Sequence, residues 1–269
     1  MRLTKRAVGH LEYWKTRWDN VGVDSKMINE SVYPLKYALD TFDIENQNNI
    51  LEAGCGPGRV LKYFENTGVV TVGFDYVESV LVQLKKESPC SLVCVSDVLR
   101  LPFLTKAFDC IFAFGLLHNL ELRDVKKGLF ELNRVTSDSG KLCASFRADN
   151  LNNYLNDLYF HFKNFLFLTP ASKLQFHKIN FTKSELIELY QEAGFEILYI
   201  VPAQNMPIIF KFRLFRKNFA KQFDEKLERT TGYRLNRLGL MVNRLLNLFP
   251  NQFCSVYVVQ ARKIRKLSQ

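Results

Sequence analysis

The stretch Asn49 to Tyr63, NILEAGCGPGRVLKY, limits the architecture more than any other part of this chain. Ile50 and Leu51 open it as a buried strand, Gly54, Gly56 and Gly58 follow at alternate positions, and a helix-like run continues from Arg59 to Glu65. A strand turning this tightly into a helix brings backbone against a ligand. Glycine serves there because a side chain would clash with the ligand or forbid positive φ. The N–H groups that start the helix then point at whatever polar group occupies the turn. The spacing E-x-G-x-G-x-G, Glu52 to Gly58, differs from the G-x-G-x-x-G of a dinucleotide fingerprint, whose third glycine packs helix on strand beside a pyrophosphate.

A second apolar strand, Val69 to Asp75, ends in a carboxylate. An aspartate there can accept hydrogen bonds from both vicinal hydroxyls of a ribose, or it can cap the segment Tyr76 to Lys86. Its distance from the glycines favours the ribose. Leu92 to Val95 reads as a third strand, followed by Ser96 and Asp97. Phe108 to Phe114 is apolar throughout, as a central parallel strand should be. It runs into Gly115 to Asn119, where open α/β sheets place their ligand crevice. A helix from Asp124 to Arg134 and a turn at Ser137 to Gly140 lead to a fifth strand, Lys141 to Phe146. This alternation predicts a parallel, doubly wound sheet. Thr182 and Glu185 form a capping box for a helix that stops at Gly194. Phe195 to Val201 and Phe253 to Gln260 read as two further strands.

In order and spacing, the glycine turn, Asp75, Asp97, the FD-x-I strand from Phe108, the LLHNL run from Leu116 and the AGF segment at 193 to 195 resemble one family. It is the class I S-adenosylmethionine-dependent methyltransferases of the small-molecule type, with a methyltransferase type 11/25-like domain. The resemblance covers about Asn49 to Phe146. It implies a Rossmann-like, mostly parallel seven-stranded sheet with an antiparallel last strand, helical lid insertions, and S-adenosyl-L-methionine as cofactor. It also implies that Glu52 faces the amino acid end of the cofactor, that Asp97 accepts from the adenine amino group, and that the Val98 N–H donates to the ring. Gly54, Cys55, Gly56, Gly58, Asp75, Tyr76, Phe114 and His118 complete the implied cofactor pocket. The implied reaction is an in-line methyl displacement, to which orientation alone can contribute about 7–11 kcal/mol.

An oxygen or nitrogen acceptor can also need a base. His118 is the strongest candidate, with a wall of the cofactor pocket as its other reading; His10, His161 and His177 follow. No Asn- or Asp-Pro-Pro-aromatic turn follows the fourth strand, which disfavours methylation of exocyclic base nitrogens.

Three segments lie outside the resemblance. Residues 1–48 read as a helical lid, 147–180 as an aromatic insertion, and 203–250 as a basic amphipathic helical insertion, leaving 49–202 and 251–263 as the core. In the lid, Leu11, Trp14, Lys15 and Trp18 fall at helical spacing. Tyr13 and Trp14 are substrate-pocket candidates, core packing being their competing reading. Tyr154, Tyr159 and Phe162 of the aromatic insertion are candidates to line the pocket of a small, apolar or lipid-like acceptor. Across 207–223, Phe212, Phe215, Phe219 and Phe223 recur at helical spacing, with Lys211, Arg216, Lys217 and Lys221 projecting elsewhere. That pattern suits an interfacial helix on an anionic membrane, or an amphipathic helix packed on its own domain.

Charge sharpens the choice of partner. The chain carries a net +10, and residues 203–269 hold 14 basic side chains against three acidic ones, so the rest is close to neutral. An electrostatic partner would meet the C-terminal quarter. RNA on that basic face, with steeply salt-dependent binding, is the second acceptor class, and a non-catalytic binding module on the same fold is the third reading. Nucleic acid ranks behind a small-molecule acceptor. No run of about 18 apolar residues is free of charge, and no apolar segment follows the basic start MRLTKRAVGH. The six cysteines show neither C-x-x-C pairs nor zinc-type spacing. These features predict a cytoplasmic protein with reduced thiols, no spanning helix and no metal, able to meet a membrane peripherally.

Overall fold

In the computed structural model, which describes residues 1–6, 9–21, 30–43, 45, 47–166, 175–217 and 234–264, consecutive residues of the central strands are buried on opposite sides of one sheet. The chain opens with β1 (Arg2–Arg6), α1 (His10–Val21) and α2 (Leu35–Thr41). The sheet then begins: β2 (Asn49–Ala53), α3 (Arg59–Glu65), β3 (Val70–Asp75), α4 (Glu78–Glu87), β4 (Leu92–Val95) and β5 (Phe108–Ala113). After a short 3₁₀ turn at Leu117–Asn119 come α5 (Leu122–Val135), β6 (Thr136–Arg147), α6 (Leu151–Leu166), β7 (Gln175–Asn180), α7 (Lys183–Glu192) and β8 (Phe195–Ala203). The chain closes with α8 (Arg237–Leu246), α9 (Pro250–Phe253) and β9 (Val256–Lys263).

The seven-stranded sheet has the order β4-β3-β2-β5-β6-β9-β8. β9 is antiparallel to both neighbours and the remaining pairs are parallel. The doubly wound architecture with an antiparallel last strand is therefore present, and the last strand inserts between the fifth and the sixth. Because side chains alternate along a strand, Leu51, Ala53, Ile111, Ala113, Leu142 and Ala144 pack with Val125, Leu129 and Leu132 of α5 and Leu186 and Tyr190 of α7. Ile50, Cys110, Phe112, Cys143 and Val258 pack on the other face with Leu35 and Ala38 of α2 and Val60 and Phe64 of α3. The Thr182–Glu185 capping box is formed as expected.

Three local expectations need correction. The turn at Ser137 to Gly140 is absorbed into β6, whose pairing with β5 shifts register between Phe108 and Cys110. Lid and aromatic insertion are joined by β-structure: β1 pairs antiparallel with β7, from Arg2 opposite Asn180 to Arg6 opposite Gln175. The basic segment is not one continuous helix over 207–217. Two short 3₁₀ turns, Ile208–Lys211 and Arg213–Phe215, are separated by an extended Phe212. Arg216 explains the break, since its Nε and Nη2 donate to the carbonyls of Phe210 (2.6 Å) and Lys211 (3.0 Å), folding the chain back on itself. Phe219, Phe223 and Lys221 lie outside the described residues.

Candidate active site

Parallel strands bring the C-terminal ends of β2 to β6 to one edge of the sheet, and the antiparallel β9 adds its N-terminal end there, Val256 opposite Arg147. A cavity of about 500 Å³ runs along that edge, within the size range of small-ligand sites. Leu11, Trp14, Arg17 and Trp18 of α1 line it, so the first helix does lie over the glycine turn.

The turn works as the spacing suggests. Gly54, Gly56 and Gly58 all have positive φ (66°, 50° and 71°). At Gly56 a Cβ would stand 2.8 Å from Cζ2 of Trp18, and at Gly58 one would stand 2.9 Å from Cδ2 of Leu84. Those two glycines therefore admit the lid and α4 rather than facing the cavity, which is lined in this region by Gly54, Cys55, Pro57 and Arg59. The two tryptophan rings stack on each other with centroids 5.4 Å apart.

Three carboxylates meet the cavity from successive strands. Glu52 is buried, and its Oε2 accepts the Leu61 N–H at 2.7 Å. Burial pushes its carboxyl up to about 8, against the pull of the Leu61 N–H and the Arg59 charge. Asp75, also buried, accepts from the N–H of Gly56 at 2.8 Å and of Val77 at 2.9 Å. It thus braces the glycine turn and the entry to α4 at once, and its carboxyl too is raised by burial. Asp97 is exposed and accepts from Leu99 N–H at 3.0 Å, beside the buried Val98.

Past Phe114, the far half of the cavity is built on β5, β6 and β9. His118 is buried, and its Nδ1–H donates to the Ser145 carbonyl at 3.3 Å. Burial and the nearby charges of Lys178 and Arg147 push its pKa down to about 3. Such a ring is neutral at physiological pH and takes up a proton poorly. Ser145 Oγ accepts from Gly115 N–H at 2.9 Å and shares a hydrogen bond with the Tyr33 hydroxyl at 2.8 Å.

Of the cofactor candidates, Glu52, Gly54, Cys55, Asp75, Tyr76, Asp97, Val98, Phe114 and His118 line the cavity, whereas Gly56 and Gly58 support it from behind. Of the acceptor candidates, Trp14 lines it, while Tyr13 packs behind, edge-on to Trp14 and His177. Tyr154 and Tyr159 are each 53% exposed and stand away from it. The reason is that α6 docks by its polar stripe. Asn153 Nδ2 donates to the carbonyls of Ala148 (2.7 Å) and Ser255 (2.9 Å), and Asn152 Nδ2 to that of Cys254 (3.1 Å). Carbonyls at these strand ends have room for a side-chain donor, so the amides bury and the aromatics do not. Phe162 lies outside the described side chains. The sequence reading missed Tyr33, Asn153, Lys178, Asn205 and Ser255. Arg147 was findable, since it follows the fifth strand at the edge where ligands collect.

A model of the methyltransferase domain matches residues 51–144, from β2 through the glycine turn to β6. That stretch is a class I S-adenosylmethionine-dependent methyltransferase domain. An uncharacterized protein of Methanocaldococcus jannaschii is 28% identical over 66% of this methyltransferase and 74% of its own length. An uncharacterized methyltransferase of Schizosaccharomyces pombe is 33% identical over 42% of both chains, so this chain spans less than half of that relative. In fold, the methyltransferase is similar to Burkholderia thailandensis 1,6-didemethyltoxoflavin-N1-methyltransferase, solved with bound 1,6-didemethyltoxoflavin and S-adenosylhomocysteine. There the TM-score is 0.54 with 16% identity, covering 93% of this chain and 82% of that one. The enzyme uses S-adenosylmethionine, and the donor set suits that cofactor. Acidic side chains end three neighbouring strands, and the glycine turn leaves backbone open to a ligand. No described helix is long and apolar enough to cross a membrane.

Proposed function

We propose that this methyltransferase moves a methyl group onto a small acceptor with an apolar body, bound over the ends of β5, β6 and β9. The cofactor would lie across β2, β3 and β4. The observation that carries the reading is the single cavity joining Glu52, Asp75 and Asp97 at one end to Phe114, His118 and Arg147 at the other. Asp75 would hold the ribose hydroxyls and Asp97 with Val98 the adenine. Glu52 would sit near the amino acid end, with Arg17 and Arg59 as cationic partners for its carboxylate. Bound there, the cofactor supplies an electrophilic methyl on a sulfonium. The chain's own part is to align the acceptor and exclude water, through Trp14 and Trp18 above and Tyr33 and Phe114 at the side. Support for an apolar body now rests on those lining residues together with Leu11, Leu116 and Leu120, and no longer on Tyr154 and Tyr159.

Peripheral contact with an anionic membrane belongs to the same reading, and its support comes from α6 and α8. On α8 and just beyond it, Leu238, Met241, Leu245 and Leu248 form an exposed stripe, with Arg237 and Arg244 beside it. On α6, Leu151, Tyr154, Leu155, Leu158 and Tyr159 form another. The α8 stripe lies in the most basic quarter of the chain, and with the α6 stripe it suits a surface that is both apolar and negatively charged.

Incubation with methyl-labelled S-adenosylmethionine and cell extract tests the assignment. Label in small organic-soluble material is expected. Label in RNA would replace the small acceptor with a nucleic acid, and tight S-adenosylhomocysteine binding without any transfer would leave a binding module.

A further inference from the structure

The two ends of the cavity differ in the charged groups that line them, with Arg17 and Arg59 beside the carboxylates at the cofactor end. Glu52, Asp75, Asp97 and Asp124 are the carboxylates among its described lining residues. Three of them end β2, β3 and β4, and the fourth stands in the first turn of α5. The acceptor end brings Arg147, Lys178, Asn153, Asn205 and Ser255 and no carboxylate. Arg147 is oriented by Asp157, with Nη2 to Oδ1 at 2.7 Å and Nη1 to Oδ2 at 3.2 Å, and Arg2 bonds the same carboxylate. Arg2 has a second partner in Asp149, its Nε donating to Oδ1 at 3.1 Å. Besides burial, Lys178 and Arg147 both oppose protonation of His118.

We propose that the acceptor is an anion, a carboxylate or a phosphate ester, whose charged oxygen is held by Lys178 and Arg147 beside His118. This rests on the reading of the cavity given above and names the chemistry that its far end takes. An anion entering there meets the Lys178 and Arg147 side chains and faces the sulfonium, and both favour its charge.

The same choice removes the need for a base. His118 accepts protons poorly, and the Tyr33 hydroxyl is already engaged with Ser145. An anionic oxygen has no proton to lose. Its lone pair makes the new bond to the methyl carbon, the carbon–sulfur pair returns to sulfur, and no proton is left over. Two charges are neutralised as the bond forms, which a buried site favours.

The test is calorimetric titration of the full chain saturated with S-adenosylhomocysteine, using malonate, inorganic phosphate and neutral malonamide as probes near neutral pH. At least one anion should bind about tenfold or more tightly than malonamide, and which one does so separates carboxylate from phosphate. Lys178→Met should remove about tenfold or more of that anion affinity, the loss of one charge-assisted hydrogen bond, while S-adenosylhomocysteine binds unchanged. The unchanged cofactor affinity also certifies the fold of the variant. Anions that bind no better than malonamide, or a Lys178→Met protein that binds them as well as the parent, overturn the inference with the cofactor reading intact. Failure of S-adenosylhomocysteine itself to bind would overturn the cofactor reading and this inference with it.

Discussion

Replacing Glu52 by Gln should remove a pH dependence from the stability of the cofactor-free protein. The Glu52 carboxyl is buried at the end of β2, where burial outweighs the Leu61 N–H and the Arg59 charge and holds its proton to about 8 instead of 4.5. An unfolded chain releases that proton near 4.5. Below about pH 4.5 both states carry it and the contribution to stability is whole. Between about pH 4.5 and 8 only the unfolded chain lets it go, so unfolding becomes progressively easier, and above about pH 8 the loss is complete. At ~1.4 kcal/mol per pH unit that gap amounts to about 5 kcal/mol as an upper bound, a large share of the stability of an ordinary domain. Gln keeps an oxygen for the Leu61 N–H and never titrates. Urea denaturation followed by far-UV circular dichroism, without cofactor and between about pH 5 and 9, should show the variant gaining on the parent by several kcal/mol across that range. The contribution from His118 is common to both proteins and cancels in the difference. Two stability curves that stay parallel from acid to alkali would refute the claim that burial governs this carboxyl.

Asp75→Ala should weaken S-adenosylhomocysteine binding by about 2–3 kcal/mol in calorimetry, since it removes the ribose acceptor and strands the N–H groups of Gly56 and Val77; equal affinity would remove the ribose assignment. Gly56→Ala places a methyl against Trp18 at a positive φ, so the thermal midpoint should fall by the equivalent of about 1–3 kcal/mol and the lid tryptophan fluorescence should shift. An unmoved spectrum would mean that α1 does not rest on the turn. Arg237→Gln with Arg244→Gln should reduce sedimentation with phosphatidylserine vesicles by about 2 kcal/mol of binding free energy, and a parent protein that does not sediment with those vesicles ends the membrane reading.

Much of the core was legible because its signals are local. A buried parallel strand needs a near-continuous apolar run, and β2, β3 and β5 each show one. The glycine turn announced itself because three alternating glycines have few other uses. The capping box of Thr182 and Glu185 needs only four consecutive residues, and it formed. The misreadings share a different cause. Tyr154 and Tyr159 read as lining for an acceptor pocket, and the Phe212–Phe215 spacing reads as part of one continuous amphipathic helix. Which face of α6 turns inward is decided by the carbonyls of Ala148, Cys254 and Ser255 that its asparagines reach, two of them about 100 residues away in sequence. Arg216, reaching back to two carbonyls, likewise broke what periodicity alone would continue.

The sequence by itself therefore determined the sheet, the glycine turn and the acidic strand ends, because each follows from interactions within a strand, a turn or a helix start. Only the tertiary structure decided what stands opposite them. The pairing of β1 with β7 and of β6 with β9 sets Lys178, Arg147 and Ser255 on one cavity wall. Local propensity does not specify such an arrangement, since it depends on which distant strand ends meet when the core closes.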